Sequence, residues 1–171
     1  HNNFGNLLKI MEQPSAAIIR FKIALSLKPD YLEAQSNLGG AFLELEQWMD
    51  AVDCFEKVIA INNMYPEAYY NLGLACVGLG KKRDAIANYR KAIEIKPDYT
   101  EAHFNLAILM QESGELEDAL QAYNRVIDSN PHFPDAYNNL AIVNKELGQF
   151  EEALANYHKA LSIAASLVYA R

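Results

Sequence analysis

The sequence predicts an all-α fold, a solenoid of helix-turn-helix repeats. Three observations carry this prediction: a period of 34 residues, apolar residues spaced by three and four, and glycine or proline at fixed points of each period. The period is clearest in a leucine column that consists of Leu38, Leu72, Leu106 and Leu140. Such a period is typical of proteins whose units bury their apolar faces only against neighbouring units.

The stretch 66–99 shows the repeating unit most clearly. Its first apolar stripe consists of Ala68, Leu72, Ala75, Cys76 and Leu79. Its second stripe consists of Ala85, Ile86, Tyr89, Ala92 and Ile93. Gly80 separates the two stripes, where a left-handed helix end favours glycine, and Pro97 ends the second stripe because proline cannot continue a helix. Each unit is therefore predicted to be a pair of antiparallel helices.

The same register organises the whole chain as a single array, 1–171. It gives a partial repeat at 1–31, complete repeats at 32–65, 66–99, 100–133 and 134–167, and the start of a further repeat at 168–171. About ten helices are expected, because each complete repeat contributes two. Ala165 stands where Pro97 ends an earlier repeat, so the last helix is expected to run on.

Small and aromatic columns predict how the helices pack. The small columns consist of Gly39, Gly73, Ala107 and Ala141, and of Ala51, Ala85, Ala119 and Ala153. Four residues after the second column comes an aromatic one, Phe55, Tyr89, Tyr123 and Tyr157. Large side chains beside small ones, repeated at a fixed spacing, are what a uniform core between repeats requires.

These columns together resemble the tetratricopeptide repeat (TPR) family over the whole chain. The resemblance rests on the leucine–glycine pair, the alanine near the start of the second helix, the aromatic residue four positions later, and the proline after the hairpin. It implies a right-handed superhelix in which the first helix of each repeat lines a concave groove. We predict a non-catalytic binding module, with no catalytic residue and no cofactor.

An asparagine column supplies the main candidate binding residues. It consists of Asn3, Asn37, Asn71, Asn105 and Asn139, each directly before the Phe4 and leucine column. A primary amide both donates and accepts hydrogen bonds, so a ladder of amides could hold an extended peptide by its backbone. The column resembles that of the TPR superhelix of O-linked N-acetylglucosamine transferases. The alternative is that each asparagine only bonds across to a neighbouring repeat.

Residues beside this column suggest the chemistry of a ligand. Apolar anchors are expected from Tyr70, Phe104, Leu74, Ile108 and Ile142, unless these residues only pack between first helices. Glu112 and Glu146 lie near the ends of first helices, where the helix dipole disfavours acids, so they favour a net-basic ligand. The predicted partner is a protein or peptide segment, extended and basic.

Composition excludes several other classes of function. The formal net charge of -7 argues against a chain-wide nucleic-acid surface, and no apolar run is long enough for membrane insertion. Cys54 and Cys76 share no metal-ligand spacing, and a reducing, cytoplasmic compartment is the expectation. No metal site and no serine–histidine–acid or paired-carboxylate arrangement stands out, so we predict that the chain is not an enzyme.

Two further interpretations stay open. Because His1 falls within a repeat, the chain is expected to belong to a longer protein, and it could be the substrate-recruiting arm of an enzyme such as a glycosyltransferase. Neither end carries a polar capping helix, so head-to-tail self-association through the terminal repeats is the other interpretation.

Asn144 also departs from its column, which is apolar at Phe42, Cys76 and Met110.

Overall fold

The computed structural model describes residues 1–169, with side chains as far as Ser166. In this range it contains ten helices and no strand. The helices are α1 (Asn2–Ile10), α2 (Pro14–Leu27), α3 (Leu32–Glu44), α4 (Trp48–Ile61), α5 (Pro66–Gly78), α6 (Lys82–Ile95), α7 (Thr100–Glu112), α8 (Leu116–Ser129), α9 (Pro134–Glu146) and α10 (Phe150–Tyr169). The predicted all-α class is confirmed.

The helices belong to two compact units, His1–Lys96 with α1–α6 and Pro97–Arg171 with α7–α10. Within the first unit, consecutive helices pack against one another, and α3 also contacts α1 and α5. Within the second unit, α7 to α10 pack in the same order, and α7 also contacts α9. Within each unit, every first helix therefore meets its own second helix and, where the unit contains one, the next first helix, as expected of stacked hairpins.

The glycines of first helices are required by close helix packing. A methyl group on Gly73 would lie 2.5 Å from Cε1 of Tyr89, whose ring is buried on α6. A methyl group on Gly39 would likewise lie 2.7 Å from Cζ of Phe55. Since real side chains do not approach so closely, the small column and the aromatic column pack together as predicted.

The turns inside the hairpins have a left-handed residue. Gly80, Gly114 and Gly148 have φ angles of 70°, 78° and 76°, which glycine adopts without strain. Glu12 and Glu46 occupy the equivalent places in the first two hairpins, each with φ of 56°. The backbone at these two glutamates is therefore strained relative to glycine, a feature the sequence analysis did not anticipate.

The last helix is longer than its counterparts. Helix α10 has 20 residues, whereas α2, α4, α6 and α8 have 14 each. It passes through Ala165 without a break, because alanine keeps the backbone N–H that proline lacks. The predicted extension is confirmed. The proposed start of a further repeat at 168–171 thus begins within α10, and Ala170 and Arg171 lie outside the described residues.

Candidate functional site

One face of α5 carries half-buried side chains at helical spacing. Tyr70, Asn71 and Leu74 are half-buried, and Val77 is 44% exposed. Tyr70, Leu74 and Val77 are four and three residues apart, so they lie on one side of the helix, with Asn71 beside them. We call these four residues the α5 surface. It places an amide next to an apolar strip that solvent partly reaches.

The side chain of Asn71 makes no hydrogen bond within the described part of the chain. Phe55 stands sixteen positions before Asn71, in the aromatic column. Its ring has no hydroxyl group to which the Asn71 amide can bond. An amide that is half-buried and lacks a protein partner can bond to a ligand without breaking an internal contact. Asn71 is therefore suited to binding.

Asn37 differs, because its amide belongs to a polar network. Its Nδ2 donates to Oδ1 of Asn2 at 3.1 Å, and Nδ2 of Asn2 donates to Oε1 of Glu33 at 2.8 Å. Asn2 is only 4% exposed, and through it this partly buried network ties α1 to α3. At Asn37 the asparagine bonds across to a neighbouring repeat, which is the structural alternative raised by the sequence.

Asn139, in the second unit, also has an internal partner. It hydrogen-bonds the hydroxyl group of Tyr123, which in turn donates to Oε1 of Gln111 at 3.1 Å. Burial raises the pKa of Tyr123 to about 12, although the bond from Asn139 acts in the opposite direction. Asn105 is half-buried and has an interaction partner as well. The asparagine column therefore does not form one uniform ladder.

The predicted aromatic anchors pack against tyrosines of their own hairpins. The Tyr70 ring lies 5.9 Å from that of Tyr89 between centroids, and the Phe104 ring lies 5.9 Å from that of Tyr123. Phe104 also lies 4.7 Å from Phe133, centroid to centroid. These rings support the helices and expose only part of their surface. Two further anchors, Ile108 and Ile142, are half-buried as well.

The candidate acidic residues are on the surface. Glu112 and Glu146 are both at least partly exposed, and Glu112 has an interaction partner. At the equivalent position in α3, Oε1 of Glu44 pairs with Nζ of Lys9 at 3.0 Å. Lys9 also passes over Gly40, where an added methyl group would lie 3.2 Å from its Nζ. The two residues are 35 positions apart, one repeat plus one residue, and this spacing was the signal in the sequence from which the pair could have been found.

The cysteines are buried and reduced. Burial raises the pKa of Cys54 to about 11 and that of Cys76 above its usual value, so both thiols are held in the neutral form. Among residues 1–169, no three histidine, cysteine or acidic side chains come together as a metal site would need. Within the same range, no helix is both long and apolar enough to cross a membrane.

Three family models of the tetratricopeptide repeat match the chain. One described as a TPR repeat matches residues 39–80, and two described as tetratricopeptide repeats match 77–141 and 134–166. Together they span residues 39–166. No curated protein sequence shows significant similarity to the chain.

Solved structures show the same architecture. A crystal structure of MamA is 26% identical, with a TM-score of 0.89 over 96% of each chain. A crystal structure described as "YrrB: a TPR protein with an unusual peptide-binding site" is 27% identical, with a TM-score of 0.77 over 95% of this chain and 84% of that one. A thermophilic TPR protein from Thermus thermophilus is 24% identical, with a TM-score of 0.74 over 96% of this chain and 90% of that one. These similarities confirm the predicted repeat fold. The resemblance to O-linked N-acetylglucosamine transferases stays a prediction from the sequence.

Proposed function

Because the chain belongs to the tetratricopeptide repeat family, we propose that it is a non-catalytic scaffold that binds an extended protein or peptide segment through its first helices. The single observation that carries this proposal is the α5 surface. There, Asn71 has no internal hydrogen bond and stands beside the partly exposed strip of Tyr70, Leu74 and Val77.

The chemistry of the α5 surface suits a peptide. A backbone amide unit of the ligand supplies both a donor and an acceptor, and the Asn71 side chain can match both. The apolar strip then accepts one or two apolar side chains of the same ligand. A peptide-binding site in the TPR protein named YrrB, 27% identical to this chain, supports the proposal by analogy.

The second unit carries a candidate acidic residue of its own. Glu146 lies at the surface at the end of α9, where the helix dipole adds negative potential to its carboxylate. The net charge of -7 extends this preference to the whole chain. The preferred segment is therefore net basic, and nucleic acid, a cofactor or direct membrane insertion has no part in the proposal.

The test begins with selection of peptides from a random library on the wild-type chain. We expect the selected peptides to be basic with apolar anchors. Asn71→Ala should weaken their binding about five-fold, since each lost hydrogen bond contributes on the order of 1 kcal/mol. The melting temperature should stay the same, because Asn71 has no internal bond to lose. Both quantities are measured by calorimetry.

The matched control is Asn63→Ala, which removes another asparagine of the first unit. Asn63 is exposed in the loop between α4 and α5, away from the α5 surface. Its variant should bind the selected peptides as the wild type does. Equal loss of affinity in both variants, or a loss of stability in Asn71→Ala without loss of affinity, would contradict the proposal.

Two other functions stay open as proposals. A substrate-recruiting arm of a larger enzyme would use the same α5 surface, and the longer gene sequence would reveal an adjoining catalytic domain. Self-assembly is favoured by apolar residues exposed near both ends, Phe4, Leu7 and Ile10 on α1 and Phe150, Leu154 and Leu161 on α10. Sedimentation at increasing concentration tests this, with Leu161→Glu as the variant that should stay monomeric. A cytoplasmic location fits all three functions.

A further inference from the structure

A polar cavity of about 390 Å³ lies in the second unit, where α8, α9 and α10 meet. Leu120 and Leu140 form its apolar wall, and polar side chains form the rest. None of the residues that make up the α5 surface lines it. The cavity is therefore separate from the proposed peptide-binding face and does not depend on it.

Asn144 gives this cavity an unsatisfied hydrogen-bond acceptor. The residue is 5% exposed, and its Nδ2 donates to Oε1 of Gln149 at 2.9 Å. Its Oδ1 is buried and has no hydrogen-bond partner among the described residues. The equivalent positions of three other repeats hold Phe42, Cys76 and Met110, which make no such demand. Leaving a buried acceptor unpaired is costly, so a donor entering the cavity would be stabilised there.

The rest of the lining also favours a cationic donor. Glu152 contributes a carboxylate, while Asn124 and Asn156 contribute amide oxygens. The equivalents of Glu152 in complete repeats are aspartates, whose side chains are one methylene shorter. Among the described residues, neither lysine nor arginine lines the cavity. The cavity thus offers several acceptors and a negative charge, but no cation.

We propose that this cavity binds the guanidinium group of an arginine side chain presented by a protein partner. A guanidinium group is planar and carries five N–H donors, so it can reach acceptors on opposite walls at the same time. It is weakly hydrated for a cation, and its flat face packs on apolar side chains such as Leu120 and Leu140. A lysine ammonium group has fewer donors and a stronger hydration shell, so it fits less well.

The direct test is a titration followed by nuclear magnetic resonance of the side-chain amide signals. The probe is N-acetyl-arginine methylamide, which has no charge on its backbone. The signals of Asn144 should shift and saturate. The citrulline analogue, which has the same shape without the charge, should bind at least about three-fold more weakly, as expected for loss of a partly exposed ion pair. The lysine analogue keeps the charge but should also bind more weakly, because it has fewer donors and a stronger hydration shell. Free arginine should bind no more tightly than the blocked probe. Tighter binding of free arginine would indicate a site for a small molecule.

Two variants and a matched control complete the test. Asn144→Leu restores the apolar character of the column and should weaken probe binding about ten-fold while raising the melting temperature. Glu152→Gln should weaken it about three-fold. Glu151→Gln changes an adjacent exposed carboxylate outside the cavity and should have no effect.

Three results would overturn the proposal. One is that the arginine probe leaves the Asn144 signals unmoved, which would mean that the cavity holds water only. Another is that the citrulline analogue binds as tightly as the arginine probe. The last is that Glu151→Gln and Glu152→Gln have the same effect. If Asn144→Leu does not fold, the pair of glutamate variants still decides.

Discussion

Helices α5 and α9 are both first helices, and each has 13 residues and begins with a proline. Their equivalent residues nevertheless make different contacts. The amide of Asn71 on α5 has no internal partner among the described residues, whereas Asn139 on α9 bonds the hydroxyl group of Tyr123. The cause lies outside both helices: α4 presents Phe55 where α8 presents Tyr123. One oxygen atom on the preceding helix thus decides whether a column residue is free to bind a ligand or holds two repeats together.

A second difference lies on the opposite side of the same two helices. Cys76 of α5 is 5% exposed and fills its place, with Nδ2 of Asn88 near its sulfur at 3.9 Å. At the same position of α9, Asn144 leaves an unpaired oxygen and lines a cavity. The repeat that contains α5 therefore has a close-packed interior and a free amide. The repeat that contains α9 has a polar cavity and an engaged amide.

The largest expected effect concerns the small column of the two helices. Gly73→Val should lower the free energy of unfolding by about 3 kcal/mol, since its Cβ would collide with the buried Tyr89 ring. On α9 the position already holds a methyl group, that of the buried Ala141. Ala141→Gly should therefore cost only about 1 kcal/mol, mainly in helix propensity. Urea unfolding measures both; equal losses would mean that the two helices pack alike.

Exchanging the interior residue should reproduce the second difference. Cys76→Asn should lower the free energy of unfolding by about 2 kcal/mol, because it buries an amide in a place shaped for a thiol. On α9, Asn144→Leu replaces a buried amide by an apolar side chain and should raise the free energy of unfolding by about 1 kcal/mol. Guanidinium unfolding provides the measurement. Cys76→Asn with wild-type stability would show that α5 also tolerates a buried amide.

The hydroxyl group of Tyr123 should contribute less. Tyr123→Phe removes the bonds to Gln111 and Asn139 and should lower the free energy of unfolding by about 1 kcal/mol. The matched control is Tyr157→Phe, at a half-buried tyrosine of the same column. Its effect should stay below about 0.5 kcal/mol. Thermal unfolding at neutral pH separates the two variants, and equal effects would remove the explanation given for Asn139.

The last expected effect is absent at neutral pH and appears only at alkaline pH. The pKa of Tyr123 rises from 10.0 to about 12 on folding, so the unfolded chain loses its proton first and stability falls between these two pH values. For Cys54 the fall lies between pH 9.0 and about 11. Tyr123→Phe should flatten only the later part of the stability curve, and Cys54→Ala only the earlier part. Unfolding measured from about pH 8 to about pH 12 tests this; an unchanged slope in Tyr123→Phe would contradict it.

Local rules predicted the helices but not every turn. The glycines at 80, 114 and 148 take the left-handed angles that the turn demands. Glu12 and Glu46 take them as well, although their side chains disfavour it, since a residue keeps such angles only where the structure around it fixes them. Similarly, the pair of Lys9 and Glu44 joins different helices, and no rule confined to one helix relates their side chains.

The sequence by itself determined the repeat length, the helical class, the small-beside-aromatic packing and the extension of α10 past Ala165. These features depend on spacing along the chain and on the local chemistry of glycine, proline and apolar residues, so the sequence displays them directly. Only the tertiary structure decided which asparagines are engaged and that Asn144 keeps an unpaired oxygen. A hydrogen bond depends on distances of a few tenths of an ångström between atoms on different helices. Asn37 and Asn71 are the same residue in the same column, and only their neighbours in space distinguish them.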